Sequence, residues 1–171
     1  MEIDTNVTLK LVIEIDRRWN SDDFESVIRS MRTLINYVEF IKDYDDDPSR
    51  VLNIVRMHRV RNRSVALLMK KPIVIKSIQY NSPGIIVFST SSVLIYGIIQ
   101  LIKHYFPNKA ARTKQEILDQ QLNSMKIRDL ERILSMKSKD LSTDLKKVKE
   151  TALKEIERLI KKGKITDIHD E

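Results

Sequence analysis

The sequence predicts an α+β fold: a small antiparallel sheet of at least three strands with helices on one face, followed by a helical C-terminal extension. Three observations support this prediction. An N-terminal segment alternates between apolar and polar residues, two later β-branched runs are separated by a short turn, and other segments repeat apolar residues every three or four positions. Strands joined by a short turn pair antiparallel, and helices gathered around such a sheet are typical of the α+β class.

The first strand is predicted in VTLKLVIEID, where apolar and polar side chains alternate. Because successive side chains of a strand point to opposite faces, this pattern indicates one face on a core and one mostly in water. The residues expected on the core face are Val7, Leu9, Leu11, Ile13 and Ile15. Those expected on the solvated face are Thr8, Lys10, Glu14 and Asp16.

A long amphipathic helix is predicted next, with Asn20 or Ser21 as its N-cap and acidic residues in its first turn. Its apolar stripe has helical spacing and consists of Phe24, Val27, Ile28, Met31, Leu34, Ile35, Val38 and Ile41. The opposite, polar face is expected to contain Arg29, Arg32, Asn36 and Glu39. The helix is predicted to end in KDYDDDPSR.

A second helix is predicted to start with Asp47 as its cap and Pro48 at its first position, where a missing N–H costs nothing. Its apolar periodicity fades at Arg56 and resumes at Val65. Helix is the preferred interpretation of residues 48–70, but a strand is not excluded by the pattern.

A hairpin is predicted where PIVIKSIQY and GIIVFST flank the turn-forming residues NSPG. The segment KSIQYNSPGIIVF resembles uncharacterised small bacterial or phage-borne α+β accessory domains, in which an I-x-Y-x-S-P turn precedes an apolar strand and a helix. The resemblance covers about 30 residues and implies a small accessory domain without a known chemistry.

No charged side chain occurs in the 26 residues 77–102, although 32% of the whole chain is charged. A single membrane span over Ile85–Ile102 is one interpretation, because a span takes about 20 apolar residues. Hydroxyl groups in the middle of this segment favour a different interpretation.

Four consecutive hydroxyl residues, 89–92, would surround a membrane helix at mid-bilayer, whereas they suit the start of a buried helix. The strand is then expected to end at Phe88. A buried helix would run from about Val93 to Phe106 and stop at Pro107. The sequence therefore favours a buried helix over a span. Since no secretory signal or cysteine is present, a cytoplasmic location is expected.

The composition changes after Pro107, which divides the sequence into a predicted head domain (1–107) and a helical extension (108–171). Two helices are expected in the extension, with Gly163 as a C-cap. The second helix has a narrow apolar stripe, like a coiled-coil seam, formed by Leu145, Val148, Ala152, Ile156 and Leu159. This stripe predicts assembly, either as a homo-oligomer or with another protein.

The sequence lacks the residues that several kinds of catalytic and ligand-binding site require. Three glycines cannot form a phosphate-cradling loop, and no cysteine is available for thiolate chemistry. Asp43, Asp45 and Asp47 resemble the start of a calcium loop but lack its glycine and its final carboxylate. The three histidines are far apart in sequence, and the serines lack a nucleophile elbow. No catalytic, cofactor or metal site is therefore predicted, and the protein is not expected to be an enzyme.

The charge distribution provides the best functional lead. Residues 1–47 contain 6 basic and 12 acidic residues, whereas residues 48–115 contain 12 basic residues and no acidic one. The predicted basic surface, for phosphate or an acidic partner, consists of Arg56, Arg59, Arg61, Arg63, Lys70 and Lys71. Pairing with the acidic N-terminal third is the alternative use of these cations.

The function predicted from these features is a non-catalytic interaction or assembly module that acts through its helical extension and its basic surface. One alternative is a nucleic-acid-binding accessory protein that uses the Arg56–Lys71 region for weak, sequence-independent contacts. The other alternative is a single-span membrane protein.

Overall fold

The computed structural model describes residues 8–15, 18–61, 63–79, 84–105, 111–112 and 127–170. Its elements, in chain order, are β1 (Thr8–Ile15), α1 (Ser21–Asp46), α2 (Pro48–Val60), a 3₁₀ helix (Val65–Lys70), β2 (Val74–Gln79), β3 (Gly84–Ser91), α3 (Ser92–Tyr105), β4 (Ala111–Arg112), α4 (Ile127–Lys137), α5 (Lys139–Lys161) and β5 (Ile165–Asp170). The predicted α+β class is confirmed.

The sheet has the strand order β2-β3-β1-β5-β4. Its first four strands pair antiparallel, and the two-residue β4 pairs parallel to β5 at one edge. The predicted hairpin is present as β2 and β3, while its turn lies outside the described residues. β5 is absent from the sequence-based prediction, because its six residues follow a long helix and include two acids.

One face of the sheet contributes to the hydrophobic core. Ile13 lies opposite Ile86 of β3 and Ile168 of β5, and all three side chains are almost fully buried. They belong to a single cluster with apolar residues of α1, α3 and α5. The buried Ile13 and Ile15 agree with the predicted core face of β1, whereas Val7 and Asp16 lie outside the described residues.

The helix α1 begins with a capping box. The Asn20 side chain accepts a hydrogen bond from the Asp23 backbone N–H at 2.8 Å, and the Asp23 carboxylate accepts one from the Asn20 N–H at 3.2 Å. Two of the unpaired N–H groups at the helix start are thereby satisfied. This arrangement confirms Asn20, one of the two expected residues, as the N-cap.

Only part of the expected polar face of α1 is exposed to solvent, as Arg29 is. Asn36 is buried, and its Nδ2 donates hydrogen bonds to the carbonyl oxygens of Met69 and Lys71, at 3.2 and 3.0 Å. Arg32 is half-buried. Because α1 contacts α2, α3, α4, α5 and the 3₁₀ helix, it is covered on more than the one face that its apolar periodicity indicates.

The segment 48–60, left open between helix and strand, is the helix α2. Asp47 caps it by accepting a hydrogen bond from the Arg50 N–H at 3.0 Å, and Pro48 occupies the first turn as expected. Val51 and Val55 anchor it in the core.

The hydroxyl cluster 89–92 has a different role from the predicted cap. Ser89, Thr90 and Ser91 continue β3 and pair with β1, so the strand extends three residues beyond Phe88 and α3 begins directly at Ser92. The reason is that β1 offers backbone partners along its whole length. α3 has 14 residues, and no helix in the described part of the chain is long and apolar enough to cross a membrane.

The C-terminal residues share the core of the N-terminal ones. α5 lies antiparallel along α1, since Lys164 contacts Asp23 at one end and Lys149 contacts the Tyr37 ring further along. Gly163, with a φ of 66°, ends α5 as predicted. The chain then enters β5, which pairs with β1 inside the sheet. The described part of the predicted extension, residues 127–170, therefore packs into the same core as the predicted head domain.

Candidate functional site

The six residues of the predicted basic surface are all exposed and lie on α2, just after it, and at the end of the 3₁₀ helix. Two of them have acidic partners. Lys71 Nζ lies 3.4 Å from a Glu39 carboxylate oxygen, and Arg59 lies 3.8 Å from Asp144 of α5. The remaining four, Arg56, Arg61, Arg63 and Lys70, have no carboxylate within 4 Å among the described residues. Internal pairing thus accounts for only part of this charge.

The outer face of α2 combines these cations with exposed apolar side chains. Ile54, Met57 and Val60 retain 41%, 55% and 79% of their accessible surface. At 100° per residue they fall, with Arg61, within an arc of about 120°, and Arg56 borders Val60. We call these five residues the apolar–basic face. Because Val51 and Val55 already fill the buried side of the helix, the apolar side chains of this face have no place in the core.

A cleft of about 700 Å³ opens between α1, α5 and the segment that joins α2 to the 3₁₀ helix. Its basic lining residues are Arg29, Arg59, Arg63 and Lys147. Its hydroxyl-bearing lining residues are Ser26, Ser30, Thr33, Ser64 and Thr151. Two acids, Asp144 and Glu155, are also present, so the lining has a modest positive excess. We call this the basic cleft.

Ion pairs occupy part of the basic cleft. Arg29 pairs with Glu25, and Glu155 accepts a hydrogen bond from Arg158 at 3.0 Å. Arg63 and Lys147 have no acidic partner in the part of the chain that the structure describes. These two cations are the ones available to an anionic ligand.

The predicted assembly stripe is used inside the chain. Leu145, Ala152, Ile156 and Leu159 are buried in the common core, and Val148 is half-buried against it. Because α5 packs along α1, this stripe cannot serve as a free seam without unfolding the helix from its own domain. Assembly through these residues is therefore not supported by the packing.

Buried ionisable groups at the α1–α5 contact have structural roles. The Tyr37 hydroxyl donates to the Glu131 carboxylate, which also accepts a hydrogen bond from Lys149 at 2.6 Å. Burial raises the pKa of Tyr37 above its ordinary value, and the nearby charge and hydrogen bond of Glu131 raise it further. This network joins the helices α1, α4 and α5.

The aspartates that resemble a calcium loop do not form a loop. Asp43 and Asp45 lie within the last turns of α1, and Asp47 caps α2. His58 is half-buried in α2, and His104 lies in α3.

A group that sequence reasoning missed lies on the sheet. Glu14 of β1 and Asp167 and His169 of β5 place one ligand atom each within 4.8 Å of one another. The only sequence signal for it is the D-x-H spacing, which puts two of its members on one face of a strand. Glu14 joins them only through the pairing of β5 with β1, across about 150 residues of chain.

Comparison of the chain with protein-family models, with curated proteins and with solved structures finds no match.

Proposed function

We propose that the protein is a non-catalytic interaction module that binds an acidic surface of another protein through the apolar–basic face of α2. The observation that supports this proposal is the exposure of Met57 and Val60 between Arg56 and Arg61. Large exposed apolar side chains grouped on one face are informative, because single ones are ordinary but groups mark contact surfaces. The cysteine-free composition suits the reducing cytoplasm, where we place this interaction.

The chemistry of the face favours a protein partner over nucleic acid. Methionine and arginine are enriched in protein–protein interfaces, where an apolar centre is surrounded by a polar rim. Affinity for nucleic acid comes mainly from phosphate contacts. Binding of nucleic acid would therefore leave the three apolar side chains of α2 in water. Because α2 contains no acidic residue, the complementary surface of the partner is expected to be acidic.

The proposal is tested by affinity capture with two double variants. Met57→Glu with Val60→Glu removes the apolar centre, and Arg56→Glu with Arg61→Glu reverses the charged rim. Partners retained by the wild-type protein are identified by mass spectrometry, and the affinity of each purified partner is measured by calorimetry. We expect an acidic protein whose affinity falls by at least about tenfold in both variants.

The matched control is Lys139→Glu with Lys154→Glu, which makes the same charge change on the exposed side of α5. This variant should keep the partner. Equal loss in the control, or a partner that binds both α2 variants as tightly as the wild type, would contradict the proposal. Light scattering of the wild type determines whether the partner is a second copy of the chain.

A second candidate function, binding of a phosphate-bearing ligand such as nucleic acid, is favoured by the basic cleft. Arg63 and Lys147 lack acidic partners there, and hydroxyl groups line the same space. Anisotropy of a labelled oligonucleotide should then show weak, sequence-independent binding that falls steeply with salt. Arg63→Glu with Lys147→Glu should abolish that binding, whereas the α2 variants should retain most of it.

A further inference from the structure

We propose that Glu14, Asp167 and His169 form a binding site for one divalent first-row transition-metal ion. This proposal is independent of the interaction surface on α2, because the three residues lie on the sheet. It rests on their geometry, on the surroundings of the imidazole and on the match between their donor atoms and such an ion.

The sheet holds the three side chains together. Glu14 of β1 is the register partner of Asp167 of β5, and Val12 is the partner of His169. Residues 167 and 169 are two apart in one strand, so their side chains share a face. This is the face opposite to the one on which Ile13 and Ile168 enter the core. Paired strands are rigid supports, and a site built on them needs little ordering when an ion binds.

The distances are close to those of a coordination sphere. His169 Nδ1 lies 3.4 Å from Asp167 Oδ2 and 4.0 Å from Glu14 Oε1. Around an ion with bonds of about 2.1 Å, neighbouring ligand atoms are about 3.4 Å apart in a tetrahedron and about 3.0 Å in an octahedron. The histidine–aspartate edge therefore already has a suitable length. Glu14, the most exposed of the three, needs to move by only about half an ångström.

The imidazole supplies the second, independent observation. His169 Nδ1 has essentially no accessible surface and makes no hydrogen bond, although it faces both carboxylates. A buried polar atom without a hydrogen bond costs free energy, and a metal ion would satisfy it directly. Asp167 Oδ1 accepts a hydrogen bond from the Ile168 backbone N–H at 3.0 Å, which orients the carboxylate with Oδ2 towards the imidazole.

The donor set indicates the class of ion. One imidazole nitrogen and two carboxylates suit Zn²⁺, Mn²⁺ or Fe²⁺, and no soft sulfur ligand is present to favour Cu⁺. Two carboxylates with a neutral imidazole also balance the charge of a divalent cation. The partial exposure of Glu14 leaves an entry path and room for water ligands, so the expected coordination is three protein atoms completed by water.

Zinc alone serves as the probe, added to the full-length protein after treatment with a chelator. Calorimetry should show one ion bound per chain, and the thermal unfolding midpoint should rise by roughly 5–10 °C at free zinc 100-fold above Kd. Glu14→Gln and His169→Gln should each weaken zinc binding by at least about tenfold. The control His58→Gln, which changes a histidine outside the cluster, should bind zinc like the wild type.

Three experimental results would contradict the proposal. Absence of zinc binding at millimolar concentration would mean that His169 contacts the two carboxylates without a metal ion between them, and would overturn the proposal. Binding that His58→Gln abolishes while Glu14→Gln and His169→Gln preserve it would place the ion elsewhere. Should a variant fail to fold, the imidazole ¹⁵N spectrum of the wild type decides: zinc must move the Nδ1 signal of His169, and a change confined to the other histidines overturns the site.

Discussion

Lys164 donates a hydrogen bond from its ammonium group to the carboxylate of Asp23, 141 positions earlier in the chain. The Trp19 indole adds a second link, because its Nε1 donates to the Lys164 backbone oxygen at 3.2 Å. Together these contacts fasten the end of α5 to the first turn of α1 and direct the following residues into β5. The C-terminal segment is thereby part of the domain and not an appendage to it.

This ion pair predicts a pH dependence of stability. Burial acts to raise the pKa of Asp23, but the hydrogen bond and charge of Lys164, the Asn20 N–H and the charge of Arg158 outweigh it, so the pKa lies below its ordinary value of 3.8. A lowered pKa means that folding favours the ionised form. Its contribution is complete above the ordinary pKa and is lost as the pH falls through the pKa of the folded state.

Asp23→Asn should therefore lower the free energy of unfolding by about 1–3 kcal/mol at pH 7, and the difference from wild type should shrink at pH 2.5. Urea unfolding at the two pH values measures this. Asp22→Asn, an exposed neighbour in the same helical turn, should change stability little at either pH. If the two variants behave alike, the pairing with Lys164 contributes nothing.

Two buried tyrosines should respond differently to loss of their hydroxyl groups. Tyr37→Phe removes the donor to Glu131 and should cost about 1–3 kcal/mol, because the acceptor is a half-buried carboxylate. The Tyr44 hydroxyl is buried without a hydrogen-bond partner, and burial raises its pKa. Tyr44→Phe should hence leave stability unchanged or increase it. Thermal unfolding of the two variants compares them directly, and a larger loss for Tyr44→Phe would contradict the described hydrogen bonds.

A charge introduced into the buried apolar stripe of α5 should unfold the protein and should not dissociate an oligomer. Ile156 has no accessible surface, so Ile156→Lys should place an unpaired charge in the core and abolish cooperative unfolding. Lys154→Gln, two residues away on the exposed side, should have an effect within about 0.5 kcal/mol. Circular dichroism follows the folding, and light scattering follows the mass. A smaller, fully folded species from Ile156→Lys would restore the assembly hypothesis.

The position of Gly84 excludes a larger side chain for lack of space, and not because of the backbone conformation of a turn. It is the first residue of β3 and lies opposite Ile15, and a Cβ at this position would come within 2.6 Å of Ile15 Cγ1 and 2.8 Å of the Gln79 carbonyl oxygen. Since the backbone oxygen cannot rotate away, Gly84→Ala should cost about 1–3 kcal/mol. Ser89→Ala in the same strand is the control and should be nearly neutral. Chemical denaturation distinguishes the two, and a neutral Gly84→Ala would show that β2 and β3 separate easily.

Local signals in the sequence identified the elements whose causes are local. The cap at Asn20, the cap at Asp47 with Pro48 behind it, and the glycine end of α5 each depend on residues within one or two turns. Their chemistry acts over a few residues, so it can be recognised in a short window. The same holds for the hairpin, since β2 and β3 are two β-branched runs that follow one another closely in the sequence.

The sequence by itself determined the α+β class, the span of α1 and the concentration of arginine around α2. Only the tertiary structure decided that Asn36 is buried, that the stripe of α5 faces α1 and that Glu14 meets His169. The physical reason is that periodicity shows which face of an element is apolar but not what covers it. Contacts between residues more than 100 positions apart depend on strand pairing and helix packing, which leave no mark in any short stretch of sequence.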